Sequence, residues 1–192
     1  MSKPYKEYEP VWIKDAPNPR SFRSIMKWGD PNKYKAPKEG LYKLIKSIFS
    51  LTDDDFKTMV DTGEQLVDVH VESALTKEQI EAITVIVGPD NATTDDFERV
   101  RLAYGKTMID IMRLRKGIVE NVPDIVVYPT DKTQIENLIK YADNNGIKVY
   151  VHAGGSSVTR GTEAMISPNI MIDISKNFNK VLAFNEVNQT IT

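Results

Sequence analysis

The stretch that decides the fold is residues 123–161, which read PDIVVYPTDKTQIENLIKYADNNGIKVYVHAGGSSVTRG. It begins with a β-branched run at residues 125–128, and Pro129 ends that run, as is typical of a buried parallel strand. A polar and amphipathic segment then leads to a second β-rich run at residues 147–151. Because a crossover this short is nearly always right-handed, the pattern predicts a right-handed parallel βαβ unit.

The segment between the two strands has the signals of one amphipathic helix. Thr130 or Asp131 can cap its first turn, and Gln134 stands where a capping-box partner of Asp131 is expected. Asn145 and Gly146 supply the usual left-handed stop. The apolar face has the i, i+3, i+4, i+7 spacing of a helix and consists of Ile135, Leu138, Ile139 and Ala142.

A loop of small residues follows the second strand and is the main candidate for a binding site. It reads HAGGSSVTRG and leaves the carboxyl end of a strand, where ligands usually sit in open α/β sheets. The adjacent Gly154 and Gly155 let the backbone approach a ligand and turn its N–H groups towards anionic oxygens. Ser156 and Ser157 add hydroxyl donors. We therefore expect a ligand that carries phosphate.

The spacing of the glycines argues against two common phosphate loops. It is neither G-x-G-x-x-G nor the nucleotide-triphosphate loop, which needs a Lys after its last glycine. A simple Rossmann or ATP site is thus disfavoured. Paired glycines are also common in ordinary loops, so on the residues alone a structural turn stays open as the alternative.

The loop and its surroundings resemble one known family. The run G-G-S-S-V-T-x-G, entered through V-P-D-I-V-V-Y-P, is similar to the pyrophosphate loop of the FAD-linked oxidase family, which shares the fold of vanillyl-alcohol oxidase and p-cresol methylhydroxylase. Ala153 stands where the family usually has its first glycine, and Ser156 stands where it has Thr. The similarity continues over residues 169–181 and 187–192, which resemble a strand, a D-L-S turn and the start of the next strand.

Two upstream segments narrow the resemblance to one branch of the family. Residues 25–31, IMKWGDP, resemble the tryptophan-glycine signature of alkyl-dihydroxyacetone-phosphate synthases and their bacterial relatives. Residues 107–117, TMIDIMRLRKG, resemble the segment that precedes the flavin domain in the same group. Three matches in the right order favour a synthase-like branch.

The resemblance implies a fold. We expect an α/β (α+β) chain in which an N-terminal helical region precedes the first lobe, βαβ plus strands, of a PCMH-type FAD-binding domain. Members of the family are more than twice as long, so the 192 residues are expected to be an N-terminal part, truncated or one half of a split enzyme. A missing C-terminal half or a partner chain would complete it, and a homodimer is a further alternative.

The resemblance also implies a cofactor and its site. Members that attach flavin covalently through this loop have a His directly after the glycine pair, and here that position is Ser156, so FAD is expected to bind without a covalent bond. His152 is interpreted as a surface residue or as one that supports the loop, since a catalytic His needs an orienting partner. The catalytic groups of the family lie in later domains, so no catalytic residue is predicted. The predicted FAD-binding residues are Val151, His152, Ala153, Gly154, Gly155, Ser156 and Ser157.

Three functions remain open at this point. The synthase-like branch implies exchange of an acyl chain for a long-chain alcohol on a ketone phosphate, with a lipid phosphate as substrate. A flavin dehydrogenase for a small 2-hydroxy acid, such as D-lactate or glycolate, shares the same loop. The third alternative is a non-catalytic half-domain that pairs with a partner chain. In each case the 192 residues alone are expected to be inactive.

The composition argues against several other classes. The net charge of −2 is unlike the basic surface of a nucleic-acid binder, and the lack of cysteine excludes disulfides and thiolate chemistry. No apolar run is long enough to span a membrane and no signal peptide is evident, so a cytoplasmic location is expected, with attachment to a membrane surface as the alternative. His70 lies between acidic residues but lacks further ligands, so no metal site is predicted.

The chain is predicted to have three parts. Residues 1–40 hold most of the prolines and are expected to form an extended arm. Residues 41–118 are expected to be helical, with a capping box at Thr76 and a long helix that runs from Thr93 or Thr94 towards Arg115. Residues 119–192 form the incomplete flavin lobe, and its strands are predicted near 125–128, 147–151, 170–174 and 181–184. The first helical stripe consists of Leu41, Leu44, Ile45 and Ile48.

Overall fold

A computed structural model describes residues 17–25, 38–56 and 63–192 of the chain. The chain forms two compact units: Met1–Val67 with Ile111–Ile118, and Asp68–Asp110 with Val119–Thr192. Most of the predicted arm at residues 1–40 lies outside the described residues. The domain boundaries at residues 40 and 118 therefore stay a prediction.

The first unit is built around helix α1, Glu39–Phe49. Tyr42 is its buried residue, and the Tyr42 hydroxyl donates to the Asp53 carboxylate. The predicted stripe does lie on this helix, but Leu41, Leu44 and Ile48 are exposed.

A four-stranded sheet is the centre of the second unit. In chain order its strands are β1 (Ala92–Thr93), β2 (Ile125–Val127), β3 (Lys148–His152) and β4 (Asn169–Asp173). The spatial order is β1-β2-β4-β3, in which β4 is parallel to both β2 and β3 and β1 is antiparallel to β2. The predicted α/β fold with a βαβ unit is thus confirmed.

Two helices cover one face of the sheet. Helix α2, Lys77–Val87, begins at the predicted capping box of Thr76 and Gln79. Helix α5, Lys132–Asn144, has Asp131 as its N-cap. Alternate residues of β2 and β4 pack against them, in a core of Leu75, Ile83, Val87, Ile125, Val127, Leu138, Ala142, Ile147, Ile170 and Ile172. Of the predicted apolar face of α5, Ile139 remains exposed.

The opposite face of the sheet is also buried. Val126 and Met171, which alternate with the residues of the first face, pack with Leu102, Tyr128 and Ala164. A parallel sheet that is covered on both faces needs continuous apolar strands. This explains the β-branched run in β2 and the five consecutive buried residues of β4.

The long helix predicted from Thr93 or Thr94 to Arg115 is wrong. Thr93 belongs to β1, and two helices follow: α3, Asp96–Ala103, and α4, Met108–Arg115. Tyr104 is extended and buried, which ends α3, and the Thr107 hydroxyl accepts from the Asp110 N–H at 2.9 Å, which starts α4. Helix periodicity continues across this break, so the pattern alone did not reveal it.

The chain ends in a small hairpin of β5, Phe184–Asn185, and β6, Thr190–Ile191. The strand predicted at residues 181–184 therefore begins later, at Phe184. Every residue of both strands is exposed. Within the described ranges, no helix has the length and apolar character needed to cross a membrane.

Candidate functional site

The predicted glycine loop lies at the carboxyl edge of the parallel sheet. It leaves β3 at His152, which is in register with Asp173 at the end of β4. Tyr128 follows the end of β2 at the same edge. The sheet therefore brings His152, Asp173 and Tyr128 to the edge where open α/β sheets bind ligands.

Gly155 is required by the shape of this loop. Its φ is +59°, which lies in the left-handed region that disfavours other residues. A Cβ there would also clash with the ring of His152, reaching 2.9 Å from Cε1. Because His152 is buried under the loop, it has little room to give way. His152 thus lies beneath the glycine turn, as a residue that supports a loop does.

The outer face of the loop is open. Ala153, Gly154 and Ser156 are exposed, and a Cβ on Gly154 would meet no atom within 4 Å. Within the part of the chain that the structure describes, the N–H groups of Gly154, Gly155 and Ser156 donate no hydrogen bond. Backbone donors without a partner on a turn of small residues fit an anionic oxygen group. The residues present are therefore compatible with a pyrophosphate.

The other predicted site residues have different surroundings. The Ser157 hydroxyl accepts from the Gly161 N–H at 3.1 Å, and the Ser157 carbonyl accepts from the Lys106 N–H at 2.7 Å. Ser157 is therefore held inside the loop, whereas Ser156 faces outwards. The Val151 side chain is exposed on β3.

Asp173 is a buried carboxylate beside the loop. The Ser175 N–H donates to it at 2.8 Å, and its Oδ1 lies 3.9 Å from Nδ1 of His152. Burial acts to raise the pKa of Asp173, but the neighbouring His152 ring and the Ser175 hydroxyl and N–H favour the carboxylate more strongly, and the pKa falls to about 2. The site therefore contains a permanent negative charge at neutral pH.

A polar network adjoins Asp173. Nη2 of Arg101 lies 3.3 Å from Oδ2 of Asp173 and 2.8 Å from the Glu98 carboxylate. The Tyr128 hydroxyl donates to Glu98 at 2.7 Å. Burial, followed by this bond to Glu98, raises the pKa of Tyr128. These groups line a cleft of about 370 Å³ together with Thr93, Ser175 and Lys176.

A second cluster supports the far end of the loop. Arg160 has a φ of +63°, and its guanidinium donates to the buried Glu163 carboxylate at 2.7 and 2.9 Å. Asn121 donates to the same carboxylate at 2.6 Å. The sequence patterns did not indicate Arg101, Glu163 or Tyr128 as site residues. The available signal was the i, i+3 spacing of Glu98 with Arg101 and of Arg160 with Glu163, which predicts ion pairs but not a site.

Another cavity of the second unit lies away from the loop. It measures about 500 Å³ and is bordered by the start of α3, including Asp96 and Arg99, and by residues 70–73. No loop residue lines it. His70, at its rim, is exposed, and its Nδ1 lies 2.9 Å from Asp96.

Comparison with known proteins relates the segment that contains the loop to FAD binding domains. The family model described as FAD binding domain matches residues 123–192. The alkyldihydroxyacetonephosphate synthase of Dictyostelium discoideum is 26% identical over 157 residues, which are 79% of this chain and 26% of that protein. Protein Rv2250A of Mycobacterium tuberculosis is 31% identical over 102 residues, which are 53% of this chain and 66% of that protein.

Comparison of the fold with solved structures also finds an alkyldihydroxyacetonephosphate synthase. A solved structure of an alkyldihydroxyacetonephosphate synthase aligns with a TM-score of 0.59 and 26% identity, over 66% of this chain and 24% of that one. The present chain thus spans about a quarter of the length of these synthases. Residues 123–192, about a third of the chain, match the FAD binding domain family. The chain as a whole is a distant relative of the alkyldihydroxyacetonephosphate synthases, as its resemblance to that branch predicted.

Proposed function

We propose that this chain binds FAD non-covalently and that its glycine loop holds the pyrophosphate. The observation that carries the proposal is the open turn, on which the N–H groups of Gly154, Gly155 and Ser156 have no partner in the described residues. When bound, FAD supplies a flavin ring that can accept electrons or form an adduct with a substrate. The residues of this chain bind and orient the cofactor.

Each predicted loop residue has a role in this proposal. The N–H groups at residues 154–156 donate to the phosphate oxygens, and the Ser156 hydroxyl adds a fourth donor. The small side chain of Ala153 would leave space for the phosphates to approach the backbone, while His152 and Ser157 support the turn on its buried side. Val151 places its exposed side chain beside the ligand. Ser156 directly follows the glycine pair, whereas family members that bind flavin covalently through this loop have His at that position. We therefore expect no covalent bond between this loop and flavin.

The reaction that we propose is that of the synthase branch. In that reaction an acyl chain on a ketone phosphate is exchanged for a long-chain alcohol. The support is the similarity to alkyldihydroxyacetonephosphate synthases over 79% of this chain. Because the chain spans only about a quarter of those proteins, the groups that act on the substrate are assigned to the remaining length, and the 192 residues alone are expected not to turn over substrate. Oxidation of a small 2-hydroxy acid is the alternative activity of the completed protein.

One observation favours a second candidate, a half-domain that pairs with a partner chain. The terminal segment exposes five large apolar side chains, and exposed apolar side chains that lie together can mark a site of protein contact. They are Val181, Leu182, Phe184, Val187 and Ile191. A second flavin lobe, on another chain or on a longer form of this one, would cover them.

Titration with FAD tests the cofactor proposal. Flavin fluorescence should change with a single saturable phase, and acid denaturation should release all of the flavin, because no covalent bond forms. The variant Gly155→Val should weaken binding by about tenfold or more, since a β-branched residue cannot adopt the left-handed turn above His152. Gly40→Ala is the matched control, because a Cβ on Gly40 meets nothing and this residue lies in α1.

The outcomes separate the candidates. Equal FAD binding by the wild type and Gly155→Val would remove the loop from the site. Failure of the wild type to bind FAD, combined with concentration-dependent self-association in sedimentation experiments, would favour the half-domain. Turnover by the 192 residues alone would contradict the assignment of the reactive groups to the missing length.

A further inference from the structure

The short segment between α3 and α4 contacts the glycine loop at one point. Gly105 lies against the Ser157 carbonyl: a Cβ on Gly105 would come closer to that oxygen than real Cβ atoms do, and would lie 3.3 Å from the carbonyl carbon. The Lys106 N–H donates to the same oxygen at 2.7 Å. Because the obstacle is backbone, a side chain at Gly105 would have to displace the loop.

Glycine is required at position 105 because a Cβ would not fit there, and not because of the backbone conformation. Gly105 is not among the glycines with positive φ, so alanine would meet no backbone strain there. The segment is also firmly anchored, since the Tyr104 side chain is fully buried and its hydroxyl accepts from the Glu120 N–H at 3.1 Å. When the two backbones are pushed apart, we therefore expect the exposed loop to move rather than the segment.

The loop is consequently fixed on both sides of its exposed turn. On one side, Gly155 rests on the His152 ring at the end of β3. On the other side, Ser157 is held by the Lys106 and Gly161 N–H groups. The N–H groups proposed to bind phosphate lie between His152, at the end of β3, and Ser157, so their direction depends on both.

We propose that Gly105 is a positioning residue for the FAD loop: by leaving room for the Ser157 carbonyl, it aims the preceding N–H groups at the pyrophosphate. This inference rests on the proposed function. It assigns a role to a residue that lies outside the loop and about fifty positions earlier in the sequence. Gly105 touches the loop and not the ligand.

The variant Gly105→Ala tests the inference, with Gly40→Ala as its control. Two measurements are needed: the dissociation constant for FAD, and hydrogen exchange of the chain without flavin. We expect FAD binding to weaken about tenfold or more, with faster exchange confined to the Lys106 and Gly161 N–H groups, which donate to Ser157, and unchanged protection of β2 and β4. A merely destabilising substitution would instead raise exchange throughout the unit.

A second variant keeps the test decisive if Gly105→Ala does not fold. Lys106→Pro removes the N–H that binds the Ser157 carbonyl without adding volume at Gly105, and weaker FAD binding with faster exchange of the Gly161 N–H is expected. Unchanged exchange of the Gly161 N–H in a folded variant would overturn the inference, as would unchanged FAD affinity. A wild type that does not bind FAD would overturn the proposed function itself, while the exchange comparison would still decide whether Gly105 fixes the loop.

Discussion

Strand β4 and the hairpin β5–β6 both lie in the segment that matches the FAD binding domain, yet their surroundings are opposite. Ile170 in β4 is 0% exposed, and it packs between helices and neighbouring strands of its own unit. Ile191 in β6 is 67% exposed, and Val187 in the connecting turn is 93% exposed. The sheet finds its packing partners within the described residues, whereas the hairpin leaves its apolar side chains uncovered. The glycine loop follows a strand of the packed sheet.

The same substitution in the two regions should give the largest difference. Ile170→Ala removes a fully buried side chain and should lower the free energy of unfolding by about 3 kcal/mol. Ile191→Ala should change it by less than about 0.5 kcal/mol, because the side chain is already in water. Chemical denaturation of both variants measures the difference. Equal losses would show that the hairpin is packed in solution.

Low pH should lower the stability of the fold, because the Asp173 carboxylate at the end of β4 becomes protonated. Its pKa of about 2 in the folded chain lies below the value of about 3.9 of an unfolded Asp, so its stabilisation is complete above about pH 5 and is lost as the pH falls towards 2. The shift corresponds to about 2 kcal/mol. Asp173→Asn should therefore be less stable than the wild type at pH 7, and the gap should narrow by pH 3. Unfolding curves at both pH values measure it, and a constant gap would contradict this account.

The two neighbouring glycines of the loop should differ in the stability that they confer. Gly155→Ala places a Cβ against His152 at a positive φ and should cost about 1 to 2 kcal/mol. Gly154→Ala meets open space and should stay within about 0.5 kcal/mol of the wild type. Thermal unfolding without flavin provides the comparison. A loss of equal size in both variants would mean that the loop has a different conformation.

The smallest expected effect on stability is in the hairpin itself. The double variant Leu182→Ser, Val187→Ser should leave the free energy of unfolding within about 0.5 kcal/mol of the wild type, because both side chains are exposed. It should, however, reduce self-association or binding of a second lobe, since those apolar groups would form the contact. Sedimentation velocity at several concentrations measures this. Unchanged association would place the contact elsewhere.

The sequence predicted the sheet better than the helices around it. The run at residues 125–128 became β2 because a buried parallel strand needs continuous apolar residues, a strong local signal, and the run at residues 147–151 became the edge strand β3. The capping box at Thr76 is equally local and was also correct. The break after α3 was missed because helix periodicity continues across it. Gly105 lies at this break without a positive φ, and a Cβ there is excluded by the Ser157 carbonyl, which is distant in sequence.

The candidate site could be predicted only in part for the same reason. The adjacent glycines and serines indicate an anion loop, but they do not show that Ser156 faces outwards while Ser157 is held inside. The ion pair between Arg101 and Asp173 joins residues from α3 and β4. No periodicity or motif connects two such positions, because the sheet alone brings them together.

The position of β3 at the end of the strand order has a consequence for how the cofactor would enter and leave. β3 pairs with β4 on one side, and the described residues provide no strand on the other. Edge strands open locally far more readily than the centre of a sheet. Local opening of β3 would release the glycine loop while β2 and β4 stay folded. The rate of flavin exchange should therefore depend on how often the edge strand β3 opens locally. Substitutions that stabilise the rest of the unit should leave that rate unchanged.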